Sequence, residues 1–177
     1  QKAPDTDYVY KLWLAHGVTT VRGVGLASLE FSLSEKNRSE SNKITAPRIW
    51  AYQRPGQGKD WRGGKVQDPQ TARKWVRYAA HKGVDGVKLV SYEPDLMEAL
   101  IDEAIKQKLG TTAHLGQTGV ARMNTIDAAR LGLGTQTHFY GLFESMYEHN
   151  DVQPYPVDMN YNNCLLYTSD AADDDRS

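Results

Sequence analysis

The sequence predicts an α/β fold in which a parallel sheet is covered by helices, and three observations carry that prediction. Segments of helical period alternate along the chain with short β-branched runs. Most helical segments end at a glycine-centred stop just before the next run. No hairpin signal joins one run to the next, so successive strands must be connected through the helices, which makes them parallel.

The elements follow in order. Residues 5–15 (DTDYVYKLWLA) read as a helix, stopped at His16-Gly17, and TTVRGV (19–24) reads as the strand after it. Residues 26–37 give a weakly patterned helix, and Pro47 precedes the strand RIWAY (48–52). A Gly-rich polar loop, QRPGQGKDWRGGKVQ, leads to Asp68-Pro69, a strong helix start: the aspartate accepts from free backbone donors and the proline has no donor to lose. That helix puts Ala72, Val76 and Ala79 or Ala80 on one face and stops at Gly83, before the strand GVKLV. Pro94 opens the next helix, in which Leu96, Met97, Leu100, Ile101, Ala104 and Ile105 recur at helical spacing as a core face. Gly110 ends it before TTAHL. After a loop with Gly116 and Gly119, TIDAARLG forms a short helix and LGTQTHFY another strand.

Composition narrows the function classes. The 177 residues are 40% hydrophobic and 10% aromatic, enough for one domain with a core. Twenty-one basic against 22 acidic side chains, net −1, create no basic field for nucleic acid and no polybasic membrane patch, so a small-molecule or peptide-like substrate is the expected partner. The lone cysteine, Cys164, excludes an internal disulfide and a cysteine-rich zinc site. No apolar run reaches the roughly 20 residues that span a bilayer, and QKAPDTDYVY does not resemble a signal peptide. With no methionine at position 1, the N-terminus is expected to be a cut, and compartment and oligomeric state stay open.

In a parallel barrel the site lies where strands end. Lys88 falls late in its strand, His114 ends TTAH and His138 ends TQTH, so three consecutive strands deliver a nitrogen side chain to the same end. Any one of these alone reads as a satisfied core or loop residue. Together they suggest two neutral imidazoles for one divalent cation, with a lysine beside them whose ammonium form is disfavoured. A neutral Lys88 amine can take up carbon dioxide as a carbamate, an anionic oxygen ligand able to bridge two metals. The competing chemistry is a Schiff-base lyase or aldolase, in which a depressed Lys88 pKa serves attack on a carbonyl, though that needs no histidines on the next two strands.

Weaker candidates for substrate contact are Arg22 at the end of its strand, Tyr52 and Arg54 at the end of theirs, where they can meet a carboxylate, and Gln117 in the loop LGQTGVARMN; solvated loop residues are the plainer reading of each. His16 and His81 sit near glycines that stop helices and are expected to interact with helix C-termini. Trp50, Trp61 and Trp75 read as core or loop packing. The GxG in RGVG and LGLG lacks the rest of a dinucleotide fingerprint.

The order HGVTTVRGVG, GVDGVKL, TTAHLGQTG and AARLGLGTQTHFYG resembles the metal-dependent amidohydrolase superfamily, in its imidazolonepropionase-like and prolidase-like branch, over about residues 5 to 163 and most closely over 69–141. The resemblance implies a (β/α)8 TIM-type barrel of which this chain carries about strands 2 to 6, and hydrolysis of amide, peptide, ester or related C–N bonds with one or two divalent metals, commonly zinc. It aligns Lys88 with the family's carboxylated, metal-bridging lysine, and His114 and His138 with its next two histidine ligands. It also implies that the metals lower the pKa of a bridging water and polarise the scissile carbonyl.

The family's first-strand His-x-His and eighth-strand aspartate fall outside the 177 residues, so the parent is expected to be the hydrolase and this chain an inactive part of it. Residues 164–177, CLLYTSDAADDDRS, turn acidic and lose any core pattern, as expected of a disordered tail or of translated adapter sequence. A further reading is a non-catalytic fragment that does not fold alone, because an open five-strand barrel exposes two edges and its interior.

Overall fold

A computed structural model describes residues 6–24, 28–116 and 122–146. Five strands form one sheet: β1 (Thr20–Val24), β2 (Arg48–Gln53), β3 (Gly86–Leu89), β4 (Gly110–Ala113) and β5 (Thr135–Gln136). Their spatial order is their sequence order, and every neighbouring pair is parallel. Helices α1 (Thr6–Ala15), α2 (Leu29–Glu40), α3 (Pro69–Lys82), α4 (Pro94–Lys106) and α5 (Thr125–Arg130) alternate with them. A doubly wound sheet reverses its strand order at a switch point, whereas a barrel adds strands in one direction. This sheet does the latter, and it is a curled half-barrel of the TIM type.

A single hydrogen bond makes the curl measurable. Laid flat, β1 and β5 would stand four inter-strand spacings apart, about 19 Å, far beyond one side chain. Arg22 Nη1 nevertheless donates to Thr135 Oγ1 at 2.7 Å. The two edge strands therefore face each other across the concave side.

Registered partners in a parallel sheet share a face, and successive residues alternate. Val87, Leu89 and Ala113 are fully buried in the core with Ala72, Trp75, Val76 and Ala79 of α3 and Leu96, Met97, Leu100, Ile101 and Ala104 of α4. Tyr52, Gly86 and Gly110, in register, take the opposite, concave face, followed one pleat later by Lys88 and Thr112. The Tyr52 ring lies across Gly86 and Gly110 so closely that a Cβ at either would collide with it.

The local signals explain most element boundaries. Asp68 accepts from Thr71 N–H at 2.8 Å, and Gly83 closes α3 in the left-handed conformation at φ 92°. Asn124 and Asp127 form a reciprocal capping box that starts α5. His16 Nδ1 bonds Leu12 O at 2.8 Å, the expected helix-end role, and His81 lies in the last turn of α3.

Four sequence expectations need correction. The second helix starts at Leu29 rather than residue 26, because Ser28 is its N-cap, accepting from Phe31 N–H. Ile105 is not core; it is exposed, and the buried polar position of α4 is Glu103, which pairs with Arg77 of α3 at 3.0 Å. Trp50 does not pack: it sits on β2's concave side, 45% exposed. The fifth strand is two residues long, and His138 lies beyond it. Gln117, Cys164 and the 164–177 tail lie outside the described residues. Among the described residues no helix is long and apolar enough to cross a membrane.

Candidate functional site

Lys88 occupies the middle of β3, where the alternation forced by Val87 and Leu89 on the helix side turns it to the concave face. It is only 4% exposed. Its Nζ donates to Thr137 Oγ1 at 2.7 Å. Burial, reinforced by the Arg22 and Arg54 guanidiniums, holds the Lys88 pKa below the ordinary lysine value. Both effects disfavour the ammonium form.

His114 immediately follows β4, its N–H bonded to Leu89 O, so it continues the β4 alternation past Thr112 to the same face as Lys88. His138 follows β5 by two residues. The two imidazoles meet edge to face with centroids 4.8 Å apart, and Tyr140 stands 4.9 Å from His114. Desolvation lowers the His114 pKa, as do His138, Lys88 and Arg54 in that order. His114 is thereby favoured as the neutral imidazole, the form that offers a lone pair.

The backbone at His138 is unusual. Its φ of 68° lies in the left-handed region, which costs an L-residue with a side chain roughly 1 kcal/mol or more. Such conformations gather at functional sites, where surrounding contacts hold them. Here Gln136 Nε2 bonds both His138 O and Tyr140 O, at 3.4 and 2.6 Å, and fixes the turn.

The structure brings Lys88, His114 and His138 to one face, with Arg22 and Arg54, the weaker candidates of the sequence, near them, and it adds Thr137 and Tyr140. Arg22 is in the middle of β1 rather than at its end, and it is engaged with Thr135 and with the Tyr52 ring, 5.3 Å from its centroid. Tyr52 forms a floor over Gly86 and Gly110. Arg54 directly follows β2, and its Nε is buried with no hydrogen-bond partner. Thr137 and Tyr140 are residues that reading the sequence missed, and for Thr137 a signal existed. Its signal was the alternation in Thr135-Gln136-Thr137, which puts both threonines on one face.

Donor chemistry tests whether these residues suit a divalent metal. Two neighbouring imidazoles supply nitrogen donors of the kind zinc takes. Among the described residues no group of three or more His, Cys, Asp or Glu stands ready for a metal ion. The two imidazoles therefore suit an ion as a pair of nitrogen donors, and the other polar group beside them is the Lys88 amine, on the same concave face.

No protein-family model and no curated protein matches the sequence. Solved structures do match. A Xaa-Pro dipeptidase solved with methionine in its active site aligns at TM-score 0.59 and 21% identity over 73% of this chain and 39% of its own. A protein from Bifidobacterium longum, provisionally assigned as a prolidase, aligns at TM-score 0.56 and 22% identity over 80% of this chain and 38% of its own. An uncharacterized protein aligns at 0.56 and 21% over 73% of this chain and 38% of its own. This chain spans about two fifths of the length of these structures, and the likeness establishes a shared fold.

Proposed function

We propose that the protein is a metal-dependent hydrolase of the amidohydrolase type, acting on peptide-like, amide or related C–N or ester bonds, with Lys88, His114 and His138 as its metal-facing residues. The observation that carries the reading is the convergence, on the concave face of a barrel sheet, of a buried lysine within β3 and two imidazoles 4.8 Å apart that follow β4 and β5. Two of the structural neighbours are described as a dipeptidase and a prolidase, which supports hydrolysis as the reaction class.

In this reading His114 and His138 would hold the ion through ring nitrogens, and Lys88 would contribute a carbamate. A bound divalent ion supplies Lewis acidity and lowers the pKa of water. Arg54, whose Nε has no partner, receives a substrate carboxylate, and Tyr140 lines the same mouth. Tyr52 and Arg22 act from beneath: the ring carries the floor, and the guanidinium keeps the floor cationic. Gln117, three residues after His114 in the sequence, is a further substrate contact in this proposal.

The test is metal analysis of the whole protein, with bicarbonate added. One or two zinc ions per chain, reduced by Lys88→Ala, together with hydrolysis of dipeptides or simple amides, is the expected result. A metal-free protein whose Lys88 is trapped by borohydride in the presence of a carbonyl compound would replace this reading with Schiff-base chemistry, for which burial of Lys88 is the favouring observation.

A further inference from the structure

Thr137 has a hydroxyl whose hydrogen is already committed. Its Oγ1 donates to Ala113 O at 3.0 Å, and its backbone N–H bonds the same carbonyl at 2.8 Å. One O–H gives one hydrogen bond, so toward Lys88 the hydroxyl can only accept. Lys88 Nζ donates to it at 2.7 Å. The polarity of this contact is therefore fixed by β4: a nitrogen at the end of the Lys88 side chain must keep a hydrogen pointing at Thr137.

We infer that Thr137 is a positioning residue that selects and orients the carbamate of Lys88, an inference that rests on the hydrolase reading above. The chemistry is balanced by carbon dioxide alone. The neutral amine's lone pair forms an N–C bond with carbon dioxide, one C=O π pair moves onto oxygen, and one of the two amine hydrogens leaves as a proton to solvent. The product nitrogen is planar and retains a single N–H. Thr137 is the acceptor already placed for that N–H, so the planar group is held in one of its two possible orientations, with its oxygens directed away from Thr137. Without the acceptor the N–H would be buried unsatisfied, because Lys88 is 4% exposed.

A hydrophobic or merely bulky residue at 137 would serve packing equally well, and this is what the test separates. The full chain is incubated with 13C-labelled bicarbonate and zinc, and the carbamate carbon is observed by 13C NMR in wild type, Lys88→Ala, Thr137→Val and Thr137→Ser. A signal present in wild type, absent in Lys88→Ala, reduced about fivefold or more in Thr137→Val and restored in Thr137→Ser is the expected pattern, the loss of one buried hydrogen bond being of that size. Thr137→Ala replaces the valine variant if the latter does not melt cooperatively. A wild-type signal that persists undiminished in both Thr137→Val and Thr137→Ala overturns the role of Thr137 while leaving the carbamate in place. No signal in wild type overturns the carbamate reading, and the role of Thr137 with it.

Discussion

A buried lysine with one hydrogen-bond partner is a cost the fold carries for some other end. Among the described residues Lys88 has Thr137 as its hydrogen-bond partner and two guanidiniums nearby, and its pKa is held down first by desolvation. Lys88→Met keeps the volume and removes the polar group, so the metal-free variant is expected to melt higher than wild type, by about 1 kcal/mol in stability, while losing metal uptake. Calorimetry beside metal analysis checks both; a lower melting temperature would show that Lys88 is structural. His138 yields a second prediction. Because φ there is 68°, His138→Gly and His138→Ala remove the same imidazole but only alanine keeps a side chain in the left-handed region. The glycine variant should be more stable than the alanine variant by about 1 kcal/mol, read as a difference in denaturant midpoint. Lys88 and His114 were legible in the sequence because strand alternation dictates their face. The conformation of His138 was not, since it arises from Gln136 bridging two carbonyls two and four residues ahead, a contact with no periodicity. Arg22 was misplaced for a related reason: its partner Thr135 is 113 residues away.

At the scale of elements, the caps were the most readable features and they govern the sharpest predictions. Asp68 accepts from Thr71 N–H, and this backbone bond, first among the causes, holds its carboxyl below the ordinary value. A depressed carboxyl stabilises the fold fully above its unfolded pKa, near 4, and the contribution is lost as pH falls through the lower folded value. Asp68→Asn retains an N-cap that does not titrate. Its melting temperature should therefore fall less than that of wild type between about pH 5 and pH 2, and parallel curves for the two proteins would refute the assignment. Asn124 caps α5 through a capping box and is itself buried, so Asn124→Ala should cost about 1 kcal/mol, measured by thermal melting. The start of α2 was less legible because its apolar pattern is weak. What sets it is Ser28, together with contacts no local window contains: Gln53 of β2 donates to Ser32, and Lys36 reaches Asp85 at 2.6 Å.

At the scale of the molecule, the sheet's two faces are unequal. The helix-covered face is a continuous core, and its residues were readable from helical and strand periods. The concave face is partly covered: the Tyr52 ring lies over Gly86 and Gly110, while on β2 the alternation leaves Arg48 and Trp50 exposed beside edge strand β1. A complete barrel buries that interior with side chains from the facing strands, and among the described residues Arg22 to Thr135 and Lys88 to Thr137 reach across it. The predicted packing of Trp50 failed for this reason, since its fate depends on strands that face it rather than on its own segment. Two consequences follow for the 177-residue chain taken alone. Its open β1 edge and the exposed Trp50 ring form an adhesive surface, so it should self-associate with rising concentration and bind a hydrophobic dye. Trp50→Lys places a charge on that surface without touching the helix-side core, so it should reduce dye binding and shift sedimentation toward the monomer. Unchanged association in Trp50→Lys would locate the contact elsewhere, with the exposed Phe139, Phe143 and Met146 at the barrel mouth as the next surface to alter.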